Sequence, residues 1–225
     1  MQISIYFRIF ALSNLTALNT LSPTRSFFHP MFPLTVNHLS SPLPRWAVQT
    51  AFALMLLSAA LSPTPITQWM NDHCAWVKAL VNTLGDLVMC YGICQGMRLL
   101  YKPLTGWWGA LIVLLIAGGV TTLLLCVETW REHILLAGVG VAALTPIVYI
   151  PLGVLLLSYY RGAMAKLGIW MILHCIVSNL LPVLWVLAGW DEWYFILDTL
   201  FIIALLGYAW SLRRLLLPPI NTAQR

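Results

Sequence analysis

Six long apolar segments follow one another along the chain and hold only three charged side chains between them, Lys78, Asp86 and Asp198. The segments lie at residues 46–62, 76–97, 106–127, 134–158, 167–189 and 194–212. A helix of about 20 apolar residues crosses a hydrocarbon layer about 30 Å thick, and no segment alternates as a membrane β-strand does. The sequence therefore predicts an all-α integral membrane bundle of six transmembrane helices.

The composition supports this prediction and argues against two other classes of protein. Hydrophobic residues make up 60% of the chain and charged residues 8%, whereas soluble domains carry about 25% charged residues. A water-soluble fold needs a larger polar surface than this chain can supply. The formal net charge of +5 comes from short loops in which no basic run mixes with aromatic residues. We therefore expect the lipid bilayer, and no nucleic acid, as a partner.

Basic and acidic residues alternate from one loop to the next. The basic loops hold Arg45, Arg98, Lys102, Arg161, Lys166, Arg213 and Arg214, and the other loops hold Asp72, Glu128, Arg131, Glu132, Asp191 and Glu192. Lys and Arg close to helix ends mark the cytoplasmic side of a membrane. We therefore expect both termini in the cytoplasm (N-in/C-in) and place the chain in the inner membrane of a bacterium.

The first 43 residues differ from the rest because they are rich in Ser, Thr and Asn and hold no acidic residue. We expect a polar, disordered segment at 1–43, a six-helix transmembrane domain at 44–214 and a short cytoplasmic tail at 215–225. Two other interpretations of the first segment stay open. Translation can start at Met31 instead of Met1, or the segment can be a targeting peptide of the organellar kind, which also lacks acidic residues.

Asp86 is the residue of the second segment that most needs an explanation. It lies near the middle of the bilayer, at about 1.5 Å of rise per residue, where an ionised carboxylate costs about 2.5–3.5 kcal/mol. Asn82 lies one turn before it and Cys90 one turn after it. Gly92 and Gly96 form a G-x-x-x-G pattern that lets another helix approach closely. We therefore expect this helix to be buried in the bundle, with Asp86 and Asn82 facing inward.

Other segments offer polar partners for this carboxylate. They are His174, Ser178 and Asn179 in the fifth segment, Thr145 in the fourth and Asp198 in the sixth. Pro146 follows Thr145 directly and Pro182 lies one turn after Ser178, and a proline frees a helix carbonyl because it lacks an N–H. Polar groups beside interrupted helices are typical of a solute or ion site. We expect Asp86 to meet the region from His174 to Asn179.

Several of these residues also have a structural interpretation. Asp86 can be a protonated group that hydrogen-bonds a carbonyl or Asn179 and so holds helices together. His174 can be a neutral histidine bonded within the core, and Asp198 can simply reach the outer interface. The sequence leaves both interpretations open at each of these positions.

Five cysteines are present, an odd number, without a C-x-x-C pair. Cys74 and Cys126 both lie near the expected outer face. A disulfide between them can form if that face is oxidising and if their Cα atoms lie within about 7 Å of each other. A bis-histidine haem site needs two histidines inside the bundle, and only His174 lies within a predicted helix. We expect no cofactor and no bound metal.

Two function classes remain. The first, which we favour, is a small-solute or ion transporter-like bundle with a buried polar site. The second is a non-catalytic accessory or assembly subunit of a membrane complex, whose partner is another membrane protein or a second copy of the chain. An enzyme is less favoured, because the short loops hold no H-E-x-x-H or paired-carboxylate motif. No catalytic residue is assigned.

Overall fold

The computed structural model describes residues 34–40, 42–100, 102–182, 184, 188 and 194–217. Within them lie seven helices: α1 Arg45–Ala60, α2 Thr64–His73, α3 Ala75–Leu100, α4 Lys102–Leu125, α5 Glu128–Tyr159, α6 Ala163–Cys175 and α7 Tyr194–Leu216. A π-helical turn, Ile176–Leu180, continues α6. Two-residue strands, β1 Leu34–Thr35 and β2 Tyr160–Arg161, pair in parallel. The predicted all-helical class is confirmed.

Among the described residues, five helical stretches are long and apolar enough to cross a membrane. The qualifying stretches are Ala75–Arg98, Leu104–Leu125, Leu136–Tyr159, Ala163–Leu180 and Tyr194–Leu216. They match the second to sixth predicted segments, because those are the runs in which apolar residues follow one another for about 20 positions. The acidic loop at 189–193 and the last residues of the chain, 218–225, lie outside the described residues.

The first predicted segment corresponds to a bent pair of helices. α1 has 16 residues, which gives a rise of about 24 Å against a hydrocarbon layer of about 30 Å. α1 and α2 qualify as a span only together, and they are bent by 101°. The hydropathy pattern missed α2 because its ten residues mix polar and apolar side chains. Its signal in the sequence is the pair Pro63 and Pro65, since proline favours the first turn of a helix.

The long helices close into a ring. α1 packs on α3, each helix from α3 to α6 packs on the next one, and α7 returns to α1. α3 also contacts α7, and it is the most enclosed of the five apolar spans. α5 and α6 approach closely because Gly153 faces Gly168: a Cβ added to either residue would lie 2.9 or 2.6 Å from the carbonyl oxygen of the other.

Residues 34–40 and 42–43 form a strap across one end of this ring. Besides the pairing of β1 with β2, the Leu39 amide donates to the Leu215 carbonyl at 2.8 Å. The Ala163 amide donates to the side-chain oxygen of Asn37 at 3.2 Å. Leu39 itself is almost fully buried. The strap therefore ties the start of α6 to the end of α7.

The strap also covers the face of α3 that carries Gly92 and Gly96. A Cβ at Gly96 would lie 3.1 Å from Cβ of Leu39, and one at Gly92 would lie 2.7 Å from a methyl carbon of Leu43. These small residues thus admit an extended segment where the sequence pattern predicts a helix. The packed part of the chain begins before the expected boundary at residue 43. Residues 1–33, the rest of the expected disordered segment, lie outside the described residues.

Candidate functional site

Asp86 lies at the centre of a hydrogen-bonded cluster that joins three helices. The hydroxyl of Tyr208 on α7 donates to Oδ1 of Asp86 at 2.8 Å, and the hydroxyl of Tyr149 on α5 donates to Oδ2 at 3.1 Å. The thiol of Cys90, one turn along α3, donates to Oδ1 at 3.4 Å. Asp86 is buried, so the carboxylate faces the interior of the ring as the sequence predicts.

His174 contacts the same cluster through Tyr208. The two rings stack, with centroids 5.3 Å apart and planes 6° from parallel. The ring of Tyr149 lies 6.4 Å away. Nδ1 of His174 is buried and has no hydrogen-bond partner among the described residues. Asp86 and His174 are therefore linked through Tyr208, which hydrogen-bonds to Asp86 and stacks on His174.

A cavity of about 200 Å³ adjoins this cluster, and its wall comes from α3, α4, α5 and the α6 region. We call it the Asp86 cavity. Of the seven buried polar candidates from the sequence, six line it: Asn82, Asp86, Thr145, His174, Ser178 and Asn179. Apolar side chains of α4 and α5 complete the wall. Four helices thus bring residues that are far apart in the sequence to one cavity.

The hydroxyl groups of Thr145 and Ser178 and the amide group of Asn179 donate to other protein atoms. Oγ1 of Thr145 donates to the Val141 carbonyl at 2.9 Å, and Oγ of Ser178 donates to the His174 carbonyl at 2.6 Å. Nδ2 of Asn179 donates to Oγ of Ser178 at 2.9 Å and to the Cys175 carbonyl at 3.2 Å. The hydrogens of these three side chains are therefore already donated within the protein, and their oxygen atoms keep unused lone pairs.

The π-helical turn forms one side of the Asp86 cavity. Pro182 follows this turn and offers no N–H to the Ser178 carbonyl, so one α-helical hydrogen bond is missing there. The turn carries Ser178 and Asn179, which both line the cavity. Single π turns inside α-helices occur frequently at functional sites.

Asp198, the seventh candidate, lies apart from the Asp86 cavity. Its Oδ2 accepts from the backbone N–H of Thr64 at 2.7 Å, and its Oδ1 accepts from the Thr64 hydroxyl at 2.9 Å. Thr64 is the first residue of α2, and helix N-termini leave N–H groups without partners inside the helix. Asp198 therefore caps α2 from another helix, and a carboxylate is also favoured there by the helix dipole.

A second cavity of about 230 Å³ lies beside Asp198. We call it the Asp198 cavity. Lys78 lines it, and so do Asn82 and Ser178, which also line the Asp86 cavity. Oδ1 of Asn82 accepts from the Ser58 hydroxyl at 2.8 Å, which fixes that side chain against α1. The two cavities therefore meet at Asn82 and Ser178.

The disulfide considered between Cys74 and Cys126 is not formed, since both residues are free thiols. Cys74 lies at the junction of α2 and α3, where its amide donates to the Met70 carbonyl at 2.7 Å. The thiol of Cys126 turns back onto its own chain and donates to the Thr122 carbonyl at 3.3 Å. Each cysteine is thus held within its local segment.

Sequence reasoning missed the two tyrosines that hold Asp86. Tyr149 and Tyr208 lie in apolar helices, and tyrosines in such runs are commonly assigned to packing or to the membrane interface. What distinguishes Tyr149 and Tyr208 in the sequence is their position deep within an apolar span. A tyrosine far from both ends of an apolar span needs a partner for its hydroxyl, and a buried carboxylate is an efficient acceptor.

Comparisons with known proteins give no assignment for the chain. No protein-family model, no curated protein and no solved structure matches it. The function proposed for it rests on the sequence and on the geometry of the two cavities.

Proposed function

We propose that the chain is a multi-pass protein of the bacterial inner membrane, with six spans and both termini in the cytoplasm. Five apolar helices of membrane-spanning length support this proposal. α1 supplies the sixth span, and α2 continues from its outer end after the sharp bend. The alternation of basic and acidic loops supports the orientation, because Lys and Arg stay on the cytoplasmic side.

In this arrangement α2 lies along the outer surface of the membrane. The bend of 101° turns it away from the direction of α1. Ile66 and Trp69 are exposed on it, and a short amphipathic helix with such residues suits the headgroup region. Its start is held by Asp198, which places Asp198 close to the outer boundary.

We further propose that the bundle moves a small solute or ion through the Asp86 cavity. The observation that carries this proposal is one buried carboxylate at the wall of a cavity of about 200 Å³ between four helices. Ionisable groups inside membrane bundles are rare and mark solute or ion pathways. The Asp198 cavity supports a route, because it adjoins the Asp86 cavity and extends toward the proposed outer end.

A second candidate is an accessory or assembly subunit of a membrane complex. One observation favours it: two tyrosine hydroxyls and one thiol, from three helices, converge on Asp86. Such a cluster can serve solely to fix α3, α5 and α7 in one arrangement. In that case the cavity has no occupant that crosses the membrane, and function depends on a surface of the folded bundle.

Solute entry into lipid vesicles separates the two candidates. The purified chain is reconstituted, and re-swelling after a hyperosmotic shift is followed by light scattering. The solutes are glycerol, urea and the sodium, potassium and methylammonium salts of thiocyanate, whose anion crosses lipid by itself. We expect at least one solute to enter several-fold faster than into empty vesicles, and Asp86→Leu to remove the difference.

Tyr91→Phe is the matched control, because Tyr91 is an exposed side chain on the same helix. Vesicles with this variant should behave like vesicles with the unmodified chain. Entry at the empty-vesicle rate for every solute would refute the transport proposal and favour the accessory role. Faster entry that persists in Asp86→Leu would show transport that does not use this site.

A further inference from the structure

Hydrogen-bond directions on one part of the Asp86 cavity wall favour a particular kind of ligand. The hydroxyl hydrogens of Thr145, Ser178 and Tyr149 are all donated to other protein oxygens. The amide hydrogens of Asn179 are donated in the same way. Each of these groups therefore offers the cavity an oxygen lone pair, which binds a hydrogen-bond donor or a cation.

Asp86 is the one acidic residue among the described residues that line this cavity, and no Lys or Arg is among them. An ionised carboxylate has about four acceptor positions. Oδ1 accepts from Tyr208 and Cys90, whereas Oδ2 accepts from Tyr149 alone. One acceptor position of Oδ2 thus remains for a ligand. When Asp86 is ionised, its negative charge has no cationic partner among the described residues of the cavity wall, so a ligand with one positive charge matches it.

Lys78 is the nearest cationic residue on the same helix. It lies eight residues before Asp86 on α3, which corresponds to about 12 Å along the helix axis. It lines the Asp198 cavity and not the Asp86 cavity. The ammonium group of Lys78 therefore does not fill the Asp86 cavity or pair with Asp86 there.

Size and the apolar part of the wall distinguish an organic cation from a bare metal ion. The volume of about 200 Å³ equals the share of about six or seven water molecules in the liquid. Leu114, Leu115 and Val141 form an apolar side of the cavity, and the rings of Tyr149 and His174 form another part of the wall. A bare ion would leave most of this space unfilled. Aromatic rings and apolar side chains instead suit the carbon skeleton of an ammonium compound.

Metal ligands of the usual kind are not assembled here. Among the described residues, no group of three or more His, Cys, Asp or Glu side chains lies close enough together to hold a metal ion. The donor set at Asp86 is one carboxylate with hydroxyl and amide oxygens, which bind N–H groups as well as hard cations.

We propose that the Asp86 cavity binds a small organic ammonium cation, with its N–H groups on Oδ2 of Asp86 and the oxygens of Thr145 and Asn179. The carbon skeleton lies against the apolar side formed by Leu114 and Val141. This proposal rests on the proposed transport function and names its substrate class.

A ligand series of nearly equal shape tests the proposal. The purified protein in detergent is titrated with n-butylammonium, 1-butanol or butyrate, and with sodium or potassium chloride at matched ionic strength, in an amine-free buffer. The readout is the midpoint of thermal unfolding, which rises when a ligand binds only the folded state. We expect n-butylammonium alone to raise the midpoint in a saturable way.

Variants locate the site. Asp86→Asn should weaken the apparent affinity for n-butylammonium by about tenfold or more, because a hydrogen bond to a charged group is lost. Thr145→Val should weaken it about threefold, since one neutral acceptor is removed. Thr199→Val is the matched control for Thr145→Val, because its hydroxyl likewise bonds the carbonyl one turn earlier but is exposed on α7. If Asp86→Asn fails to fold, the comparison of the two threonine variants still decides the matter.

Three results would overturn the ammonium proposal: no saturable rise with n-butylammonium, an equal rise with butanol or butyrate, or an equal rise with an alkali chloride. Binding of n-butylammonium without any solute entry into vesicles would refute the transport proposal and support the ammonium-binding site. Asp86-dependent entry of a neutral solute without ammonium binding would support the transport proposal and refute the proposed substrate class.

Discussion

Tyr208 joins Asp86 to His174, with its hydroxyl 2.8 Å from Oδ1 of the carboxylate and its ring stacked 5.3 Å from the imidazole. The tyrosine thereby sets the position of both ionisable groups. Because Tyr208 is fully buried on α7, a substitution at this position would alter contacts with both α3 and α6. The following predictions start from this cluster and extend to the two ends of the bundle.

Replacement of Asp86 by Asn or by Leu tests whether the acceptor oxygens of this side chain stabilise the fold. Asp86→Leu leaves the hydroxyls of Tyr149 and Tyr208 buried without an acceptor, at a cost of about 1–3 kcal/mol for each group. Asp86→Asn keeps an acceptor oxygen and should fold with a smaller loss. The midpoint of thermal unfolding in detergent measures both changes, and an equal loss for the two variants would contradict the assigned hydrogen bonds.

Tyr208→Phe tests the hydrogen bond without changing the packing of the ring. We expect a loss of about 1–2 kcal/mol in stability, because the bond to a charged acceptor is removed while the stack on His174 stays. Tyr91→Phe on an exposed face should change stability by less than about 0.5 kcal/mol. Thermal unfolding of both variants, side by side, provides the measurement. Equal effects would show that Tyr208 acts through its ring alone.

Asp198→Ala should loosen α2 locally. The carboxylate accepts both from the backbone and from the side chain of Thr64, and the loss of an N-cap typically costs about 0.5–2 kcal/mol. Hydrogen exchange followed by mass spectrometry should show faster exchange in Thr64–His73, while α5 exchanges as before. Uniformly faster exchange would instead indicate that Asp198 supports the entire bundle.

Fusions with a reporter that works only outside the cytoplasm test the proposed topology. The reporter should be active after the acidic loops and inactive after the basic ones, because positively charged loops stay in the cytoplasm. The outer fusion sites are Asp72, Glu132 and Glu192. The inner fusion sites are Lys102, Lys166 and Arg225. Reversed activity at two or more sites would exclude the six-span arrangement.

Hydropathy predicts most of the helices, because a run of about 20 apolar residues has few alternatives to a long helix. The same patterns miss α2, because its ten residues are amphipathic and form no long apolar run. They also miss the strap, since nothing local in residues 34–43 indicates that Leu39 is buried on α3. Both α2 and the strap are held in place by contacts between segments that lie far apart in the sequence, and local patterns do not show such contacts.

The candidate site was predictable in its polar members and not in its aromatic ones. A carboxylate, an imidazole and an amide inside apolar helices each carry an energetic cost, so Asp86, His174 and Asn179 are conspicuous in the sequence. Tyr149 and Tyr208 are not conspicuous, because tyrosine is common in membrane helices. Their role depends on which helices become neighbours, and the order of neighbours in the ring is a property of the fold.

The strap also limits how the helices can move against one another. Its backbone bonds hold the start of α6 and the end of α7 together at a single end, while a close fit at Gly96 holds α3 there as well. The three helices are therefore held together most directly at the strap end. A substitution at Leu39 or Asn37 would act on the packing of all three at once, although neither residue lines the Asp86 cavity or the Asp198 cavity.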